Sequence, residues 1–99
     1  MANPIIQYKE LWKGLNNVKQ SDWIKAAEKL NLTVVKSNSG TSHTHKIRDP
    51  KNTNLDDVRG VIAVLQVNLY KQANQQIFYC LLKFGIKEDE VWKALGKLK

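Results

Sequence analysis

One cysteine, one methionine, two prolines and two histidines stand in a sequence of 99 residues. A single cysteine, Cys80, cannot close an internal disulfide, so the fold must rest on burial and hydrogen bonding. Cys80 lies in the apolar run IFYCLLKF, where a free thiol behaves as a small hydrophobe, and a reducing cytoplasm is the expected setting. No apolar run reaches the length of a membrane span. The opening MANPIIQYKELW lacks a basic stretch followed by a long apolar one, so no secretory signal is expected. Two histidines, one distant cysteine and no ligand-spaced acids nearby make a poor metal site, and neither metal nor cofactor is expected. Acids are scarce beside bases: 9 Asp and Glu against 16 Lys and Arg, a net charge of +7 and a pI near 9.6. That imbalance favours a polyanionic partner, whether nucleic acid, an acidic protein or an anionic membrane surface, with a merely soluble basic protein as the plain alternative.

At 42% hydrophobic and 25% charged, the chain has the balance of a folded soluble protein. Its length predicts one domain, 1–99, with a modest core. Both histidines fall in one basic stretch, Lys36 to Lys51, KSNSGTSHTHKIRDPK. Lys36, Lys46, Arg48 and Lys51 supply positive charge there, and Asp49 alone opposes it. Ser37-Asn38-Ser39-Gly40 is dense turn chemistry, and Leu32–Lys36 and Thr41–Arg48 read as the two strands of a hairpin. In an extended strand His43 and His45 share a face, while Thr44, Lys46 and Arg48 take the other.

The remaining elements follow from periodicity and capping. Asn3-Pro4 begins a helix whose stripe is Ile5, Tyr8, Leu11, Trp12, Leu15 and Val18, fraying after Gly14. Ser21-Asp22 begins a second, burying Trp23, Ile24, Ala27 and Leu30, and Asn31 is placed to end it in the left-handed conformation. Val61–Val67 is a continuous branched apolar run and reads as a third, central strand, although Leu55 to Ala73 also fits helical spacing. A strand is preferred because a lone hairpin is marginal and Gly60 interrupts the helical pattern. A helix over about Asn74–Phe84, capped by Gly85, and a closing helix over Lys87–Lys99 complete the chain. The expected fold is α+β, ordered α-α-β-β-β-α-α, a small three-stranded antiparallel sheet with helices on one face.

With Gly40-Thr41-Ser42-His43 opening the second strand, and ANQQIFYCLLKFGIKEDE from Ala73 to Glu90, the pattern resembles the HicA family of mRNA-interferase toxins. The resemblance runs over roughly Ser21 to Leu95. It makes 20–99 the family-like core and 1–19 an additional N-terminal helix. It implies a fold like the double-stranded RNA-binding domain and cytoplasmic RNA, above all mRNA, as substrate. It also implies a HicB-type antitoxin as partner, and His43 as the catalytic residue. The sequence departs from the family pattern by a threonine between Gly40 and Ser42. Sliding the match by two residues puts Thr44-His45 in the same place.

The chemistry fits these residue types. RNA carries its own nucleophile, the 2′-hydroxyl. A metal-independent nuclease then needs a base, an acid and cations for the phosphorane charge. His43 and His45 are the candidate base and acid. Lys36, Lys46, Arg48 and Lys51 are candidate phosphate contacts, and Gly40, Thr41 and Ser42 can bond phosphate oxygens. Against this, strand histidines often only pack or bind backbone, and lysines are often only solvated. Tyr70 and Tyr79 can stack on a base, with burial the preferred reading, and Trp12, Trp23 and Trp92 belong to the core. The alternatives are a non-catalytic RNA- or DNA-binding module on the same hairpin, or an interaction domain for an acidic protein.

Overall fold

The computed structural model describes residues 8–36, 44–54 and 56–98. Helix α1 (Lys9–Lys13) gives way at Gly14 to a single 3-10 turn, Leu15–Asn17, followed by α2 (Gln20–Lys29). Strands β1 (Thr33–Lys36), β2 (His45–Arg48) and β3 (Val61–Leu65) precede α3 (Lys71–Phe84) and α4 (Glu88–Ala94). The α+β class and the element order are those expected. Local signals explain most boundaries. Asn31 takes φ 62° after α2, and Gly85 takes φ 117° after α3. Alpha3 begins at Lys71, three residues earlier than its apolar stripe suggests. Alpha4 stops at Ala94 instead of Lys99, because Gly96 turns to φ 78° two residues later. The first helix is shorter than its stripe because Gly14 donates to the Leu11 carbonyl, tightening the last turn. Its Asn3-Pro4 start lies outside the described residues.

The sheet is antiparallel in the order β1-β2-β3. The third strand is therefore an edge and β2 the centre, the reverse of the expected placement. Successive antiparallel connections lay each strand beside the one before it, which leaves the middle to β2. Its apolar run is explained by one buried face: Ala63 and Leu65 are sealed, while Val64 is 43% exposed. An apolar groove of about 340 Å³ runs between β3 and α3, lined by Ile62, Val64, Leu69, Ala73, Ile77 and Cys80. Burial pushes the Cys80 thiol up in pKa, against the opposing pull of Lys83.

The helices cover one face of the sheet, with α2 against β1 and α3 against β3. Ile47, Leu65, Leu15, Val18, Trp23, Phe78, Leu81, Val91 and Trp92 form one core cluster. Trp23 and Trp92 are fully buried as expected, and half-buried Trp12 meets Phe78 and Tyr79 edge-on at 5.5 and 4.9 Å. Leu15 and Val18 are thus part of the same core as the sheet. The N-terminal segment is tied further by the Tyr8 backbone N–H, which donates to Glu88 Oε2 at 2.9 Å. Trp92 Nε1 donates to the same oxygen.

One polar side chain sits inside this core. Asn74 on α3 is 0% exposed. Its Nδ2 donates to the carbonyls of Leu15 and Val18, and its Oδ1 accepts from Trp23 Nε1 at 2.9 Å. A single amide therefore joins the 3-10 turn, α2 and α3, and satisfies three groups that burial would otherwise leave without partners.

Among the described residues no helix is long and apolar enough to cross a membrane.

Candidate nucleic-acid interface

His45 opens the central strand. Its Cα partners are Lys36 on β1 and Leu65 on β3. Alternation places His45 on the face of Ile47 and Leu65, both fully buried, and Lys46 on the opposite, uncovered face. His45 is thus half-buried at the rim of the helix-covered face, with Lys36 directly across the ladder. Side chains so paired stand about 4.5–5.5 Å apart at Cβ. Lys46 pairs with Val35 and Val64 and is exposed beside them on the uncovered face. Lys51 is exposed in the loop after β2. The structure therefore brings Lys36 and His45 together and puts Lys46 behind them. Gly40, Thr41, Ser42 and His43 lie outside the described residues, and Thr44 precedes the strand.

Arg48, expected among the phosphate contacts, is withdrawn from the surface. It is 2% exposed, and its Nη2 donates to the carbonyls of Asn54 at 2.7 Å and Asp57 at 3.1 Å. A bulge causes this: the β2–β3 register shifts between Ile47 and Arg48, so Val61 and Ile62 together oppose Arg48. The guanidinium turns under the 49–60 loop and anchors it. Gly60 makes room, since a Cβ there would lie 2.6 Å from Arg48 Nη2 and 2.9 Å from Asn52 Nδ2.

Asp57 completes that loop. Its carboxylate accepts from Arg59 Nε at 3.0 Å, Asn52 Nδ2 at 3.0 Å and the Arg59 backbone N–H at 3.0 Å. The Arg59 guanidinium foremost, then Asn52 and the Arg59 backbone, lower its pKa from the ordinary 3.8 to about 2. A depressed folded-state pKa stabilises the fold above the unfolded value and loses that effect as pH falls through the folded one. Acid titration should therefore remove part of the wild-type stability between about pH 4 and pH 2. Asp57→Asn, compared by circular dichroism at each pH, should lack that part. An identical acid limb in both proteins would contradict the assignment.

A cleft of about 650 Å³ and mixed polarity lies between the 16–21 turn and the 67–70 loop, which follows the end of β3. Its lining sets Asn16, Asn17, Lys19 and Asn68 beside apolar Val67 and Leu69 and the ring of Tyr70. Gln20 Nε2 donates to the Leu65 carbonyl at 3.0 Å, and Leu65 is the partner of His45. Tyr70 is 75% exposed, which corrects the expectation that it packs inward. It precedes α3 as its N-cap, so the inward stripe of that helix does not include it. Tyr79 does pack, half-buried against Trp12. Sequence reading missed the cleft because its walls come from segments about 50 residues apart, each looking like an ordinary turn. Among the described residues no three His, Cys, Asp or Glu side chains group as metal ligands.

Comparison with protein-family models, curated proteins and solved structures finds no match to this chain.

Proposed function

We propose that the protein is a metal-independent RNA endonuclease of the mRNA-interferase kind, cutting at the hairpin end of its sheet. The observation that carries this reading is the placement of His45. It opens the central strand opposite Lys36 on one side and Leu65 on the other, and the Leu65 carbonyl is bonded by Gln20 of the cleft wall; in the sequence it stands two residues after His43. The reaction needs no outside nucleophile. A histidine takes the proton of the ribose 2′-hydroxyl, and the 2′-oxygen bonds to phosphorus. The 5′-oxygen leaves and is protonated by a second acid, giving a 2′,3′-cyclic phosphate and a 5′-hydroxyl end. His43 is the main catalytic residue on the HicA resemblance and His45 the second group. Lys36 steadies the phosphorane charge. On the same resemblance the setting is the cytoplasm, with a HicB-type antitoxin covering the histidines.

The test uses purified protein, end-labelled single-stranded RNA and the matching DNA, with a chelator present. Wild type should cut RNA to cyclic-phosphate ends and leave DNA whole. His43→Ala should cut roughly a hundred- to ten-thousand-fold more slowly, with His45→Ala also impaired. Wild type that binds RNA with strong salt dependence but leaves it intact would make the protein a binding module instead. Undiminished cleavage by His43→Ala would remove that residue from the chemistry.

A further inference from the structure

We infer that the cleft between the 16–21 turn and the 67–70 loop binds one unpaired nucleobase together with its phosphate, a specificity subsite that rests on the RNA reading above.

Three observations converge on that ligand. Tyr70 is 75% exposed at the cleft, more than Phe84, which is 42% exposed and lies away from it at the end of α3. An exposed aromatic face offers stacking to any base. Exposed Asn16, Asn17 and Asn68 share the lining, and each carries both a donor and an acceptor, the pattern that base edges require. Among the described residues no carboxylate lines the cleft, although Asp22 accepts from the Lys19 backbone N–H at its edge, and Lys19 gives it a cation suited to the phosphate. A wholly apolar partner would match Val67 and Leu69 but leave those amides dry and unbonded, and an acidic peptide would have only the one lysine to meet it.

The cleft is also held in shape. Its floor is Val18, 3% exposed, whose carbonyl accepts from the buried Asn74 amide at 3.1 Å. The Gln20–Leu65 bond fixes the other wall to the end of β3, beside His45. A base seated against Tyr70 therefore belongs to a strand that runs past the histidine end of the sheet. The subsite would select RNA with an unpaired nucleotide there and disfavour a closed duplex, whose bases are stacked on one another.

The experiment measures binding and cleavage separately. Adenosine 5′-monophosphate, with inorganic phosphate as control, is titrated while the side-chain amide resonances of Asn16, Asn17 and Asn68 are followed. A short fluorescent single-stranded RNA is then bound to wild type, Tyr70→Ala and Tyr70→Phe. The nucleotide should shift the three amides, and Tyr70→Ala should weaken RNA binding roughly tenfold with an unchanged melting temperature. Tyr70→Phe should keep most of the affinity, since stacking needs the ring and not the hydroxyl. The inference fails if Tyr70→Ala binds RNA like wild type, if the nucleotide shifts other residues, or if inorganic phosphate alone reproduces the shifts. Nucleotide in the cleft with no RNA cleavage by wild type sinks the nuclease reading and leaves the cleft standing. Cleavage with an indifferent cleft does the opposite.

Discussion

Asn74→Ala is expected to destabilise the fold by about 3 kcal/mol, because three buried groups lose their partner at once and each unsatisfied one costs roughly 1 kcal/mol or more. Those groups are the Leu15 and Val18 carbonyls and Trp23 Nε1, all within the sealed core. For a domain of this size that loss lowers the melting temperature by roughly 15 °C. The chain separation matters as much as the bond count. Asn74 reaches partners 51 to 59 residues away, so no local structure compensates for its removal. Because Val18 floors the cleft, the same substitution should also weaken single-stranded RNA binding. Thermal melts of wild type and variant check the first effect. A shift below about 0.5 kcal/mol, the size of an ordinary surface change, would mean that water or a rearranged turn serves these groups as well as the amide does.

Arg48→Ala and Lys46→Ala should part company, though the two cations are two residues apart on one strand. Arg48 is buried with two carbonyls on its guanidinium, so its loss should cost about 2–3 kcal/mol. Urea denaturation would show this as a lower midpoint, and the salt dependence of RNA binding should keep its slope. Lys46 is exposed on the uncovered face, so its loss should leave stability within about 0.5 kcal/mol. If that face meets RNA, the salt slope should fall by roughly one counterion. A stable Arg48→Ala protein with a reduced slope would return Arg48 to the phosphate role that its sequence context suggests.

The contrast shows where sequence is legible and where it is not. Signals written in single residues read correctly: Asn31 and Gly85 take the left-handed conformations their positions demand. The branched run Val61–Leu65 is a strand and not a helix, and the alternating hairpin pairs Val34 with Ile47 and Lys36 with His45. Features that depend on what lies opposite do not read. A bulge between β2 and β3 decides that Arg48 goes under a loop, and nothing in HKIRDP distinguishes that arginine from a solvated one. The strand order is likewise a tertiary choice, so an apolar run looks central when it is an edge with one buried face. Tyr70 is misread because it stands one residue outside its helix. Asn74 was readable: it occupies the same stripe as Ile77, Phe78 and Leu81, and an amide in an apolar stripe announces a buried polar junction. Of the site itself, Lys36 and His45 are brought together, Lys46 is turned away, Arg48 is withdrawn, and the Gly40–His43 segment lies outside the described residues.

The position of β3 carries a burden of its own. Among the described residues it has a neighbour on one side only, and from Val61 to Tyr70 the chain holds no charged residue and no proline. Proteins usually guard such a margin with an inward lysine, a proline or a kink that repels a stranger strand. The irregularity at Ile62 sits on the inner pairing, and among the described residues no strand pairs with the outer border. Mutual repulsion between whole molecules of +7 charge opposes such pairing, and it acts at a distance instead of at the border.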